Sequence, residues 1–212
     1  YKGGLMYNAM LNKKLGLRAG ATFAMKQNVD AKRDLYQISY KNFSSVGLVT
    51  DTAIQETGRK GAIAVPTNYS LGLQLYNADK WMVGVDFATT DWSQYRNFGA
   101  EDSVVDRTYR IAVGGEYTPN PTSIYKYLNR ITYRLGFYYG KDYVNLRNSD
   151  LNYYAVTLGA SLPFKRSFDR IHLGMEIGKK GTETSGLVRE NFFQFMVGMS
   201  LNDKWFVKRK YD

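Results

Sequence analysis

Eight ionisable side chains, Arg18, Asp86, Arg110, Glu116, Arg134, Arg170, His172 and Glu176, stand on the polar side of segments in which apolar and polar residues alternate. Charge on such a face must be paired or hydrated, because stripping an ion of water without a partner is costly. Two kinds of chemistry meet that demand. In the first the charges brace one another, and Glu116 and Arg134, which flank one connection close to its strand ends, suit a cross-strand pair. In the second an arginine holds the carboxylate of a ligand, whose two oxygens match the guanidinium fork. Arg18, Arg110 and Arg134 are candidates for that role. Met82, Trp92, Tyr138, Tyr153, Phe192 and Met196 on the same face would surround an apolar ligand tail, or simply fill space.

Catalysis is poorly served by this set. His172 is the single histidine and cysteine is absent, which excludes a multi-histidine metal site, a thiolate metal site and a cysteine nucleophile. A Ser-His-Asp relay would have to use His172, and an acid/base pair would have to join Asp86 to Glu176 from strands far apart in order. No Walker glycine loop or dinucleotide fingerprint occurs. No catalytic residue, metal ligand or cofactor is assigned.

The elements that position these residues are β-strands. The pattern is plainest in residues 67–95, two strands joined by the turn Asn77-Ala78-Asp79-Lys80. Tyr69, Leu71, Leu73 and Leu75 share one face, as do Trp81, Val83, Val85 and Phe87, because successive side chains alternate sides. Strands of about ten residues exceed the usual ~5–6 of globular sheets and match the length that crosses a bilayer when tilted. Similar segments occur at 3–11, 15–25, 34–43, 46–55, 107–117, 131–141, 151–162, 170–179 and 189–201, which makes about eleven strands. Residues 26–33, 56–66, 93–106, 142–150 and 180–188 read as the longer loops. Residues 118–130, opened by Pro119 and Pro121, form a long segment on the side of the short turns. Asn202-Asp203-Lys204-Trp205 echoes the turn before Trp81 and places both at one surface.

Composition agrees. Eighteen Tyr, eleven Phe, three Trp and only four Pro favour strands. No run of 18 apolar residues exists to make a transmembrane helix. The negative mean hydropathy is misleading for a barrel, whose lipid face uses alternate residues only. The formal charge of +10 is dispersed and accompanies no nucleic-acid-binding motif, so lipid phosphates and lipopolysaccharide are the expected partners of interfacial Lys and Arg. The densest cluster is Lys204, Lys208, Arg209 and Lys210 in the tail. The predicted fold is an all-β, antiparallel transmembrane β-barrel in a bacterial outer membrane, spanning 1–212. Such barrels have even strand numbers and periplasmic termini, so eleven strands, with no signal peptide, lead to the expectation that N-terminal strands are missing.

Pro66, Gly72, Trp81, Asp86, Asp91-Trp92-Ser93-Gln94-Tyr95, Gly114-Gly115-Glu116-Tyr117-Thr118-Pro119 and Tyr133-Arg134-Leu135-Gly136-Phe137-Tyr138-Tyr139 resemble the C-terminal part of the FadL family of outer-membrane transport proteins. The closing stretch 186–212 is similar to members from Bacteroidetes-type bacteria. The resemblance implies a fourteen-stranded barrel with an N-terminal hatch, eleven strands plus three, carrying long-chain fatty acids or other hydrophobic compounds. The alternative is a barrel subunit of a multi-protein outer-membrane assembly or secretion machine, with residues 118–130 and the basic tail as docking surfaces for outer-membrane protein partners. A continuous apolar path along the polar face would favour transport, and a face crossed by paired charges would favour the subunit.

Overall fold

Period-two alternation puts most of the backbone into extended pairing, and a computed structural model describes residues 1–41, 48–77, 80–146, 149–164 and 169–202. The strands are β1 (Lys2–Met10), β2 (Leu15–Ala24), β3 (Gln27–Lys41), β4 (Leu48–Val65), β5 (Asn68–Asn77), β6 (Trp81–Asp91), β7 (Arg96–Asn97), β8 (Arg107–Tyr117), β9 (Thr132–Leu146), β10 (Ser149–Pro163), β11 (Arg170–Gly181) and β12 (Arg189–Ser200). Every strand pairing is antiparallel. Among the described residues there is no α-helix, only three 3-10 turns.

Nine strands form one open sheet in the order β1-β2-β5-β6-β8-β9-β10-β11-β12, and β3, β4 and β7 form a second. The expected faces hold. Tyr7, Ala19, Leu73, Val85, Val113, Phe137, Val156, Ile177 and Phe193 are register partners along one row of the apolar face. That face is uncovered: Leu71 is 58% exposed, Leu135 61% and Phe195 61%. Among the described residues the buried apolar side chains are few, Ala64, Pro66, Val105, Ile131 and Ala155, so no second layer packs on this sheet to make a conventional core.

The opposite face is crowded by close strand approach. A Cβ at Gly16 would run into the Tyr76 ring, and one at Gly178 into the Phe192 ring. In each pair the ring of the later strand lies over the glycine of its neighbour. Glycine there admits large side chains that lean sideways across the sheet.

The structure corrects four expectations. Of the expected loops 26–33 and 56–66, residues 27–33 and 56–65 are parts of β3 and β4, one long hairpin. The hydrophobic alternation fades there because both faces carry polar groups: Glu56 accepts from Arg33 at 3.3 Å and Arg59 at 3.2 Å. Gly58, within the expected 56–66 loop, has φ +66° at a register shift where Thr57 and Gly58 oppose Asp34, and the Asp34 carboxylate accepts its N–H at 2.5 Å. This is a bulge that keeps the hairpin paired rather than ending it.

The second correction concerns neighbours. β2 pairs directly with β5, from Leu15↔Asn77 to Ala24↔Asn68, and the β3–β4 hairpin stands outside the main sheet. The principal wall therefore has nine strands rather than about eleven, and the arithmetic that reached fourteen lapses. Third, residues 142–146 continue β9 and residues 149–150 open β10, where a loop was expected, with Lys141–Asp150 paired at 2.7 Å and Lys180–Asp142 at 2.6 Å. Fourth, residues 93–106 hold β7, whose Arg96 and Asn97 pair with Ala64 and Ile63 of β4. The Ala78-Asp79 turn centre, the repeat of that turn at 203–205 and the basic tail lie outside the described residues.

Candidate functional site: the polar face of the sheet

Register decides which of the polar-face residues meet. Glu116 of β8 is the direct partner of Arg134 of β9, as the sequence suggested, and Arg134 Nε donates to Glu116 Oε2 at 3.1 Å. The same guanidinium donates through a second nitrogen to Ser161 Oγ. Ser161 Oγ meets His172 Nδ1 at 2.7 Å, and His172 Nε2 meets Ser200 Oγ at 2.9 Å. Arginine can only donate, so Ser161 Oγ accepts from Arg134. One chain of hydrogen bonds thus ties together β8 to β12.

Other charges are held in the same manner. Tyr138 donates to Glu176 Oε1 at 2.6 Å, and the Arg110 guanidinium lies 4.5 Å from the Tyr138 ring centre. Tyr153 meets Tyr138 edge-on at 5.9 Å. Arg18 reaches both sides of its strand, to Asn8 Oδ1 at 2.8 Å and Gln74 Oε1 at 3.1 Å, and stacks on Tyr76 at 5.3 Å. At the last residue of β6, Asp91 accepts from Ser93 Oγ at 2.6 Å and Gln94 Nε2 at 2.8 Å. The Ser93 bond is the main reason its carboxyl lies below the ordinary 3.8, with Gln94 and Arg107 acting in the same direction against burial.

Of the residues proposed to surround an apolar ligand, Tyr138 and Tyr153 touch, but the set as a whole is not gathered into one place. Met82 and Met196 lie in one register row, Met82–Glu116–Arg134–Gly159–Gly174–Met196, with the ion pair between them. Tyr138 and Phe192 lie in another row, separated by Ala155 and Gly178. Trp92 sits off the strands in the 3-10 turn Trp92–Gln94, where its Nε1 donates to Thr108 Oγ1 at 3.1 Å and its ring stacks on Tyr143 at 4.7 Å. Of the arginines, Arg134 is spent on the relay and Arg110 on an aromatic face. The polar face is crossed by bonded charges rather than by an apolar path.

Catalytic geometry is also wanting among the described residues. Asp86 of β6 and Glu176 of β11 are separated by β8, β9 and β10. Ser161 is fully buried, and both nitrogens of His172 meet serine hydroxyls rather than a carboxylate. Sequence reasoning missed Asn8, Gln74, Ser161 and Ser200, which complete these networks. Their signal is register, and polar alternation alone does not supply it.

A cavity of about 560 Å³ opens at the end of this face where the β1–β2, β5–β6, β8–β9 and β10–β11 connections gather, with Arg18, Lys80, Glu116, Arg130 and Arg170 in its wall. Arg130 donates to the Phe164 carbonyl at 3.0 Å.

A family model described as BamG covers residues 1–212. No curated protein sequence matches the chain. The full-length match overturns the resemblance to the FadL family and, with it, uptake of fatty acids or other hydrophobic compounds. The strand and turn signatures that suggested that family follow from long antiparallel strands in general.

Proposed function

The chain belongs to the BamG family, an outer-membrane assembly family, and from that premise we propose that it is a structural, non-catalytic barrel subunit of the machinery that assembles outer-membrane proteins. The observation that carries this reading beyond the family match is the relay Glu116–Arg134–Ser161–His172–Ser200, with Tyr138–Glu176 beside it. Groups bonded strand to strand stiffen a wall and block an apolar route along it.

The uncovered apolar face supports placement in the outer membrane. Phe23 stacks on Tyr69 at 5.6 Å and Tyr109 meets Tyr139 at 6.0 Å at one level, while Trp81, Tyr117 and Tyr133 are register partners at the other. Tyr109 and Tyr117 are eight residues apart on β8, about 27 Å along the strand. Tilt reduces that to a height near the apolar band of outer-membrane barrels, which carry aromatic girdles at both rims. An open sheet edge is not tolerated in hydrocarbon, so the edge strands β1 and β12 need further pairing partners for this wall to span a membrane.

The test is isolation of the tagged chain from membranes in a mild non-ionic detergent, with protein partners quantified, alongside depletion of the chain in cells. Stoichiometric outer-membrane protein partners and a fall in folded outer-membrane proteins are expected. A chain that runs alone, and whose loss leaves folded outer-membrane proteins at their normal level, would refute the reading.

A further inference from the structure

Among the described residues, the cavity at the end of the polar face is lined by charge that its wall does not neutralise. Four described cations, Arg18, Lys80, Arg130 and Arg170, line it, with one described carboxylate, Glu116, which is already bonded to Arg134. The cations are held by neutral groups where they are held at all: Arg18 by the amide oxygens of Asn8 and Gln74, Arg130 by the Phe164 carbonyl. Lys80 and Arg170 enter none of the ion pairs between described residues. Neutral acceptors fix a guanidinium in place without cancelling its charge, which describes a receptor set for an anion.

We propose that this basin binds an acidic peptide segment of a partner protein. A volume of about 560 Å³ suits several residues rather than one small ion. Gln74, Asn77, Thr118 and Thr132 add amide and hydroxyl groups that can exchange hydrogen bonds with a peptide backbone. A lipid headgroup fits less well, because the basin is on the face opposite the apolar band, where acyl chains have no surface to follow. The inference rests on the assembly reading only for which protein donates the segment. Binding itself is measured on the isolated chain, so the two can fail separately.

The experiment uses the purified chain in a non-ionic detergent and a rhodamine-labelled peptide of alternating Glu and Gly, read by fluorescence anisotropy. Saturable binding is expected, weakening as salt is raised and absent when Gln replaces Glu. Lys80→Gln with Arg170→Gln removes two charges without breaking a bond described above, and is expected to weaken binding by about tenfold or more. Unchanged affinity in that variant would overturn the proposal. So would displacement of the peptide by inorganic phosphate or phosphatidylglycerol at equal charge, since the basin would then recognise charge alone. Should the variant fail to fold, a photoreactive version of the peptide on the unaltered chain decides the matter: adducts at Tyr76, Trp81 or Met82 support the site, and adducts elsewhere refute it.

Discussion

Arginine placed along the apolar face of β8 measures whether that face meets hydrocarbon. Ile111 and Val113 are each 46% exposed and Tyr117 is 52% exposed, so in water an arginine at any of them would cost much the same, within about 0.5 kcal/mol. In a bilayer the cost depends on depth, about 2–4 kcal/mol at the midplane and about 0–1 near the interfaces. Two residues along a strand advance ~7 Å, and a tilt of ~40° converts this to about 5 Å of depth. With Val113 midway between Tyr109 and Tyr117, Ile111 lies about 5 Å from the centre and Tyr117 about 10 Å. Subtracting an alanine variant at each site removes the loss of the native side chain. The arginine-minus-alanine difference is then expected at about 3 kcal/mol for Val113, about 1–2 for Ile111 and under about 1 for Tyr117. Guanidinium unfolding from phospholipid vesicles, followed by tryptophan fluorescence, reads these differences. A flat profile, or one highest at Tyr117, would refute membrane placement of this face.

Three further outcomes follow from the polar face and its turns. A double-mutant cycle of Glu116→Gln and Arg134→Met is expected to give a coupling of about 0–1 kcal/mol, because Arg134 is 43% exposed, while Arg134→Met alone costs more by leaving fully buried Ser161 short of a donor; equal costs would contradict the relay. Gly178→Val is expected to destabilise by about 1–3 kcal/mol or more through collision with the Phe192 ring, the Tyr154 carbonyl and the Ala155 methyl, and a companion Phe192→Ala should recover only the ring's share of that loss in the same unfolding assay. The carboxyl of Asp91 is depressed below 3.8, so its contribution is present above that value and lost as pH falls through the still lower folded value. Asp91→Asn is expected to reduce the acid sensitivity of unfolding in the most acidic range, and an unchanged pH profile would remove Asp91 from the account.

The β-strand character and the two faces of the wall were legible in the sequence because side-chain alternation is a property of a single strand. Leu71, Leu73, Val83 and Val85 announce their face from their spacing alone. Glu116 and Arg134 were legible as a pair because one connection joins adjacent strands, which leaves their rungs nearly opposite. Residues 27–33 and 56–65 hid their strand character, since a hairpin wet on both faces has no reason to alternate. That β2 meets β5 across the whole of β3 and β4, and that Arg134, Ser161, His172 and Ser200 line up, depended on register between distant segments. Register is a global solution of pairing and packing, so a one-residue slip changes every neighbour while leaving each strand's own pattern intact. Spacing therefore told which side chains share a face, and only the folded sheet decided which of them touch.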